Sequence, residues 1–181
     1  CNQGSMQDVD ELASWLFETQ TETVSGQEKT LKEAWTVDIL IPFGAVGEVA
    51  DLTGLSDRSL GSMRILLLGV ERLIARIAQQ YQQRAIRDRR CHVLLPLSPN
   101  HGVFGGDGVY GESKAAMEAL LNRWQSEQAA WGQYVSLIGA RIGWVRGTGL
   151  MDANDAVAAR LEESRGVRTF SNAEMALLLT A

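Results

Sequence analysis

The chain has 181 residues, of which 45% are hydrophobic and 22% are charged, and its formal net charge at pH 7 is −5. This composition is typical of one globular domain with a real core, and it excludes a disordered polymer, a collagen-like repeat and a small disulfide scaffold. No apolar run approaches the roughly 18 residues of a membrane span, and the acidic charge argues against a broad nucleic-acid surface. We therefore predict no membrane and no nucleic-acid partner.

Helical and strand patterns alternate along the chain. The helical segments carry apolar residues three and four positions apart, whereas the strand segments are nearly continuous in apolar residues, as in strands buried on both faces. In chain order the predicted elements are a helix over 8–19, a strand over 36–41, a helix over 57–83, a strand over 91–95, a helix over 110–130 and a strand over 134–140.

This order predicts an α/β fold with right-handed βαβ crossovers and a parallel sheet between helices. The polar segments 18–34 and 44–56 are predicted to be loops. Segment 84–90 contains four arginines and can attract an acidic partner, although a solvated loop before a strand is the simpler interpretation.

The cysteines and histidines carry no metal-binding pattern. Cys1 and Cys91 form no CxxC pair, and His92 and His101 lack ligand spacing with them, so no metal is predicted and free thiols are expected. No secretory signal opens the chain, so the cytoplasm is the expected compartment. The non-methionine start and the helix-favouring run 174–179 at the other end predict a piece of a longer protein.

The segments that follow the predicted strands are the expected location of a ligand, because ligands of parallel α/β sheets bind beyond the carboxyl ends of the strands. Segments 42–45, 96–102 and 143–149 are rich in Gly or Pro, which allows a flat or phosphorylated ligand to approach the backbone. Residues 106–111 spell GxGxxG, but a loop separates them from the preceding strand and no acidic residue follows a next strand about 20 positions on, so a dinucleotide fingerprint is rejected.

Ser98, Tyr110 and Lys114 form the strongest candidate catalytic set. Tyr110 and Lys114 lie four residues apart at the start of a predicted helix and share a face, so the ammonium is expected to lower the pKa of the phenol and make it a usable proton donor. Ser98 ends the strand that leads into the same loop and can hold a carbonyl oxygen that gains negative charge. Together they suit the addition of hydride to a ketone.

Simpler interpretations of these residues stay open. A tyrosine and a lysine at this spacing are often only a surface pair, and a loop serine is often only a cap. His101 can be an acid–base group, although a histidine bonded to loop backbone is the preferred expectation. A serine hydrolase is excluded because no GxSxG elbow surrounds Ser98.

Ser98 with Tyr110-Gly111-Glu112-Ser113-Lys114 twelve residues later resembles the active site of the short-chain dehydrogenases/reductases, and segment 37–41 resembles their fourth strand. The longer strings 98–102 and 104–114 resemble the ketoacyl reductase domain of type I fatty acid synthases, both the fungal alpha chain and the actinobacterial single-chain enzyme. Further segments similar to that domain are 2–5, 122–124, 142–151 and 166–171.

The resemblance implies a Rossmann-like, doubly wound parallel sheet. It also implies NADPH-dependent reduction of a 3-oxoacyl chain carried by an acyl carrier protein. In that picture Tyr110 protonates the carbonyl oxygen, Ser98 orients it, and Lys114 holds the nicotinamide ribose. The implied cofactor-binding residues are Phe43, Gly44, Tyr110, Lys114, Gly143, Trp144 and Thr148. The implied partners are the acyl carrier protein and other synthase domains, within a large homo-oligomer formed through the parent chain.

The sequence also departs from the family pattern. Pro42-Phe43-Gly44-Ala45 stands in place of Asn-Asn-Ala-Gly, Ile142 replaces the usual proline, and Leu66 and Gly69 lie where the helix-four asparagine is expected. The Gly-rich first turn is missing, so residues 1–181 are expected to be a partial ketoacyl reductase domain, the C-terminal part of the fold without its dinucleotide-binding portion. A non-catalytic α/β scaffold and a module that docks the carrier protein remain the alternatives.

Overall fold

The computed structural model describes residues 1–103, 105–150 and 152–180; Phe104 and Met151, which fall within the strings quoted for the family resemblance, lie outside the described residues. The helices are α1 (Met6–Phe17), α2 (Asp57–Met63), α3 (Gly69–Gln83), α4 (Tyr110–Ser126), α5 (Asp152–Asp155), α6 (Ala158–Arg165) and α7 (Asn172–Thr180). The strands are β1 (Gln20–Val24), β2 (Gln27–Lys32), β3 (Ile39–Leu40), β4 (Cys91–Leu97) and β5 (Val135–Arg141).

Strands β3, β4 and β5 form a parallel sheet in that order, so the predicted α/β class with a parallel sheet is confirmed. Strands β4 and β5 pair in register over their whole length, from Cys91 opposite Val135 to Leu97 opposite Arg141. Strand β3 is much shorter than the predicted strand over 36–41, since only Ile39 and Leu40 pair with β4.

The helices cover one face of this sheet in the described residues. Because the sheet order advances in one direction from β3 to β5, right-handed crossovers place α3 and α4 on the same side, and α1 packs against α3. The opposite face presents Ile39, which is 69% exposed, and Ile138, which is 63% exposed. The expected burial of the strands on both faces is therefore wrong for this chain.

A single core lies between the covered face and the helices. Strand residues that alternate with the exposed ones point into it, as the pleat requires. Its largest fully buried side chains are Val9, Phe17, Val70, Ile77, Tyr81, Cys91, Val93, Leu95, Met117 and Val135. The apolar stripes predicted for the three main helices are therefore the stripes that form the core.

The long helix predicted over 57–83 is continuous but contains one wider turn. It begins at Ser56, which forms a capping box with Ser59, and passes through a π-helical segment at Arg64–Leu68 before α3. The Gln3 side chain donates from Nε2 to the carbonyl of Ile65 in this segment, at 2.9 Å. Gln3, which lies outside the helix, thus supplies a donor where the α-helical pattern of hydrogen bonds is interrupted.

Segment 18–34 is wrongly predicted to be a loop. It forms an antiparallel hairpin of β1 and β2, and its two-residue turn places Ser25 and Gly26 at positive φ, as tight hairpin turns require. Nearly all of its side chains are exposed, so no apolar alternation marks the strands. The Ser25-Gly26 pair is the one sequence signal that indicates the turn.

Lys32 attaches the hairpin to the rest of the molecule. Its ammonium lies 4.8 Å from the ring centroid of Trp15 and 4.5 Å from that of Trp35. The same ammonium donates, at 2.8–3.0 Å, to three backbone carbonyls, those of Leu16, Glu18 and Glu33. A buried lysine is tolerated here because every one of its donors has an acceptor.

Replacing this lysine should therefore destabilise the fold. We expect Lys32→Met to lower the free energy of unfolding by about 3 kcal/mol, because three carbonyls lose a charged donor. The measurement is urea unfolding followed by far-UV circular dichroism. The matched control is Lys29→Met on the exposed part of the same hairpin, expected to change stability by less than about 0.5 kcal/mol. Equal effects of the two substitutions would contradict the role given to Lys32.

Candidate active site

A pocket of about 650 Å³ opens at the carboxyl ends of the parallel strands. Segments that follow β3, β4 and β5 contribute to its wall, and one side of α7 completes it. Its polar side chains include those of Tyr110 and Lys114, which lie among mainly apolar neighbours such as Ile142, Val145 and Met175. A mostly apolar cavity with few convergent polar groups is typical of a small-molecule site.

Tyr110 and Lys114 line this pocket, and Ser98 is adjacent to Tyr110 but does not itself line the cavity. Ser98 follows β4 directly and is 6% exposed, and its hydroxyl accepts a hydrogen bond from the backbone nitrogen of Asn100 at 3.1 Å. Tyr110 is the first residue of α4, and Lys114 lies one turn later, 5% exposed. The hydroxyls of Ser98 and Tyr110 share a hydrogen bond, so the proposed donor and the proposed oxygen-holding group are adjacent.

The expected electrostatic effect of Lys114 on Tyr110 is not found. Burial is the largest influence on Tyr110 and raises the pKa of its phenol, whereas the hydrogen bond with Ser98 lowers that pKa. The Lys114 ammonium lies 5.7 Å from the Tyr110 ring centroid and donates to the carbonyl of Pro96 at 2.6 Å. The prediction that Lys114 lowers the pKa of Tyr110 is wrong, because burial and the nearby Asp107 carboxylate raise this pKa and only the Ser98 hydrogen bond lowers it.

Burial acts on Lys114 as well, and in the opposite direction. It lowers the pKa of this ammonium to about 8, because removing the group from water disfavours its charged form. The amine is thus still mostly protonated at pH 7. A lysine with this pKa in a pocket can hold a polar ligand by charge and can also exchange a proton near neutral pH.

A glycine-rich loop leads from Ser98 into α4. Gly102, Gly105, Gly106 and Gly108 all have positive φ, which explains the rejected GxGxxG string as loop geometry. A Cβ at Gly111 would lie 2.7 Å from the backbone nitrogen of Gly102, so the loop can fold closely over the start of the helix.

The insert 44–56, predicted to be a loop, pairs with this glycine-rich loop through one residue, Ala50. The backbone nitrogen of Ala50 donates to Gly106 at 3.1 Å, and its carbonyl accepts from Gly108 at 2.9 Å. The buried carboxyl of Glu48 packs against Gly108, where a Cβ would meet it at 2.3 Å, and also accepts from the Ser59 hydroxyl. The insert therefore supports the glycine-rich loop between Ser98 and α4.

The residues predicted to bind a cofactor divide into two groups. Phe43, Gly143 and Thr148 line the pocket together with Tyr110 and Lys114. Gly44 does not line the pocket. It packs against the Gln3 side chain, whose amide oxygen would lie 1.9 Å from a Cβ built at Gly44. Trp144 directs its indole nitrogen away to Asp155, at 2.8 Å.

His101 has a different partner from the one expected. Its Nε2 lies 3.0 Å from the carboxylate of Glu118, not against loop backbone, and Arg141 donates two hydrogen bonds to the same carboxylate at 2.8–2.9 Å. These bonds hold the pKa of Glu118 below its ordinary value. The sequence interpretation missed Glu118, although its position four residues after Lys114 places it on the same stripe of α4.

The described residues form no disulfide and no metal cluster, and they include no membrane-spanning helix. Both cysteines are free thiols, with Cys91 buried, and no group of three potential metal ligands lies together in the part of the chain that the structure describes. Among the described helices, none is both long and apolar enough to pass through a bilayer.

The sequence is similar to one segment of fungal fatty acid synthases. It is 47% identical over 180 residues to fatty acid synthase subunit alpha of Gibberella zeae, covering 99% of this chain and 11% of that subunit. The corresponding subunits of Saccharomyces cerevisiae and Schizosaccharomyces pombe are 44% and 43% identical over 98% and 97% of the chain. The chain spans about a tenth of the length of these relatives. No protein-family model matches the sequence.

Solved structures share the fold at low sequence identity. A short-chain dehydrogenase/reductase of Brucella melitensis, described as a glucose/ribitol dehydrogenase, has a TM-score of 0.70 at 16% identity, covering 99% of this chain and 65% of that one. A gluconate 5-dehydrogenase of Burkholderia cenocepacia, in complex with NADP and tartrate, has a TM-score of 0.65 at 17% identity, covering 90% and 58%. A protein proposed to be a betaketoacyl-ACP reductase has a TM-score of 0.66 at 19% identity, covering 100% and 68%.

The chain therefore has the short-chain dehydrogenase/reductase fold, of which it forms a part. Its sequence is related over almost its whole length to a segment of fatty acid synthase subunit alpha, and the resemblance stated from the motifs is confirmed.

The lowered pKa of Lys114 predicts a pH-dependent stability. Between its folded value of about 8 and its ordinary value of 10.5, the unfolded chain binds this proton more tightly than the folded chain. The free energy of unfolding should therefore rise with pH through that window, relative to Lys114→Met, by about 3 kcal/mol. Urea unfolding at several pH values measures this difference. The exposed Lys29→Met control should show a flat difference, and a flat difference for Lys114→Met would contradict the lowered pKa.

Proposed function

We propose that this chain forms the catalytic part of a 3-oxoacyl-[acyl carrier protein] reductase that uses NADPH within a type I fatty acid synthase. The observation that carries the proposal is the position of Tyr110 and Lys114 in the wall of one pocket beyond the carboxyl ends of the parallel strands, with Ser98 hydrogen-bonded to Tyr110. The relationship to fatty acid synthase subunit alpha and the NADP in a structural neighbour support it.

The pocket residues fit a nicotinamide and its ribose. Lys114 offers a buried ammonium to ribose hydroxyls, and Phe43 and Val145 offer apolar surface to a flat ring. Gly143 lets the backbone approach a ligand, since nothing lies within 4 Å of a Cβ built there. When bound, NADPH supplies a hydride for a carbonyl carbon.

Tyr110 is the proton donor of the proposed reaction. Because burial raises the pKa of its phenol, Tyr110 is fully protonated at neutral pH and can give its proton to the substrate oxygen as negative charge develops there. Ser98, bonded to the Tyr110 hydroxyl, holds the same oxygen. The ketone thus gains hydride at carbon and a proton at oxygen, and the hydrogen bond from Ser98, which lowers the pKa of Tyr110, stabilises the phenolate that remains.

Neither alternative interpretation is favoured by a specific contact. A non-catalytic scaffold does not require Tyr110 and Lys114 in the wall of a pocket with Ser98 beside them. The arginine segment 84–90 precedes β4, at the end of the sheet roughly 23 Å from the pocket for a seven-residue strand. Arg89 of this segment pairs with Asp88 and Asp38, as in a solvated loop. A carrier protein docked there would lie at the opposite end from the proposed chemistry.

The proposal extends to the organisation of the complete protein. Residues 1–181 are proposed to be part of a ketoacyl reductase domain, with its Gly-rich nucleotide-binding portion elsewhere in the parent chain. The apolar sheet face that presents Ile39 and Ile138 supports this, because such a face needs a cover. The acyl carrier protein and other synthase domains are the proposed partners, in a large homo-oligomer in the cytoplasm.

Removal of the phenolic proton tests the proposed chemistry. In the complete protein, Tyr110→Phe should reduce NADPH oxidation with a short 3-oxoacyl thioester by at least about 100-fold, because the ring remains and the general acid is lost. Tyr134→Phe is the matched control, since Tyr134 lies in the groove between α3 and α4, away from the pocket. Unchanged turnover by Tyr110→Phe would overturn the assignment.

The proposed division of the nucleotide site makes a second prediction. The 181-residue chain alone should bind NADPH weakly, with a dissociation constant well above the micromolar range, because no Gly-rich turn is present to hold the pyrophosphate. NADPH fluorescence titration measures this affinity, and the complete protein is the positive control. Micromolar binding by the short chain would show that its own residues suffice.

A further inference from the structure

The loop that leaves β5 is held from behind by one carboxylate. Asp155 accepts a hydrogen bond from the Trp144 indole nitrogen at 2.8 Å with one oxygen, and from the Gly147 backbone nitrogen at 2.7 Å with the other. Both oxygens are thereby used on a single loop. Gly147 has a positive φ of 74°, so the turn that directs its nitrogen toward Asp155 favours glycine.

Further bonds hold the same loop on the same side. The carbonyl of Gly147 accepts from the Asn172 amide at 3.0 Å. Arg146 donates from its backbone nitrogen to Phe170 at 2.8 Å, and Phe170 donates to the carbonyl of Trp144 at 3.0 Å, forming a short parallel bridge. Segment 144–147 is therefore attached to residues 155–172 by both side-chain and backbone bonds.

The opposite side of the loop forms the pocket wall. Gly143, Val145, Thr148 and Gly149 line the cavity, whereas Trp144 does not. The Thr148 hydroxyl donates to the carbonyl of Val145 at 3.1 Å, within the loop. The loop thus presents to the pocket a wall whose shape depends on how its outer side is held.

We propose that Asp155 is a positioning residue for the cofactor-binding loop, and that Trp144 is its anchor and not a cofactor contact; this inference rests on the proposed function. A carboxylate that accepts hydrogen bonds from two N–H groups of one loop fixes the loop at both of those positions. Holding the loop in its binding shape before the ligand arrives reduces the ordering cost of binding. Of the proposed catalytic residues, Ser98 follows β4 and Tyr110 and Lys114 lie on α4, whereas Asp155 bonds to Trp144 and Gly147.

Substitution of Asp155 should therefore affect cofactor binding more than the chemical step. In the complete protein we expect Asp155→Ala to raise the KM and the dissociation constant for NADPH about 10-fold, with kcat changed less than about twofold. Asp155→Asn keeps one acceptor oxygen and should give an intermediate increase. Asp88→Asn, at the other end of the sheet, is the matched control and should leave both constants unchanged.

A double-substitution cycle separates loop positioning from general destabilisation. Trp144→Phe keeps an aromatic ring but removes the indole donor, so its effect on NADPH affinity should be non-additive with that of Asp155→Ala. Additive effects, or an unchanged NADPH dissociation constant in Asp155→Ala with an intact circular dichroism spectrum, would overturn the inference. A fall in kcat alone, without a change in KM, would also overturn it.

The same experiments distinguish this inference from the proposed function. If the unsubstituted complete protein binds NADPH but does not reduce 3-oxoacyl thioesters, the proposed function fails, and the dissociation constants still decide the role of Asp155. If the unsubstituted complete protein does not bind NADPH at all, Asp155 has no cofactor loop to position and the inference fails with it. If the Asp155 variants keep full turnover and unchanged NADPH affinity, the inference about Asp155 fails and the proposed function stands.

Discussion

The arrangement of the pocket depends on one buried hydrogen bond, from the Lys114 ammonium to the Pro96 carbonyl. This bond joins α4 to the carboxyl end of β4. Tyr110 begins the same helix and Ser98 follows Pro96 by two residues, so the bond also helps to set the distance between their hydroxyls. A buried acceptor is necessary for an ammonium at this depth, because an unpaired one would be too costly.

The short third strand makes that carbonyl available. Strand β3 pairs with β4 only as far as Val93, so nothing in β3 occupies that side of β4 at Pro96. The next carbonyl, of Leu97, faces the other neighbour and accepts from Ile142. Proline has no N–H to pair, and it is tolerated where the ladder has ended on one side. The truncation of β3 and the placement of Lys114 are thus two aspects of the same local geometry.

The sequence was sufficient for the features that depend on periodic patterns or on nearest spacing. The helical stripes, strands β4 and β5, and the meeting of Tyr110 with Lys114 all follow from residue spacing along single elements. The hairpin escaped prediction because its strands bury almost nothing, so its polar sequence resembles that of a loop. The hydrogen bond between Trp144 and Asp155 was not predicted, because it joins residues from separate elements. The same holds for the contacts of His101 and Arg141 with the Glu118 carboxylate.

The pKa of Tyr110 shows why spacing alone misjudged the electrostatics. A neighbouring ammonium favours the phenolate, but burial disfavours every charged form, so it raises the pKa of Tyr110 and lowers that of Lys114. Both shifts favour the neutral forms, phenol and amine, so the pair of tyrosinate and ammonium becomes harder to reach than in water. A donor of this kind holds its proton at neutral pH and gives it up only to a strongly basic oxygen, such as the alkoxide that hydride addition creates. Burial thus supports the proposed reaction by a different route from the one that the spacing of Tyr110 and Lys114 predicts.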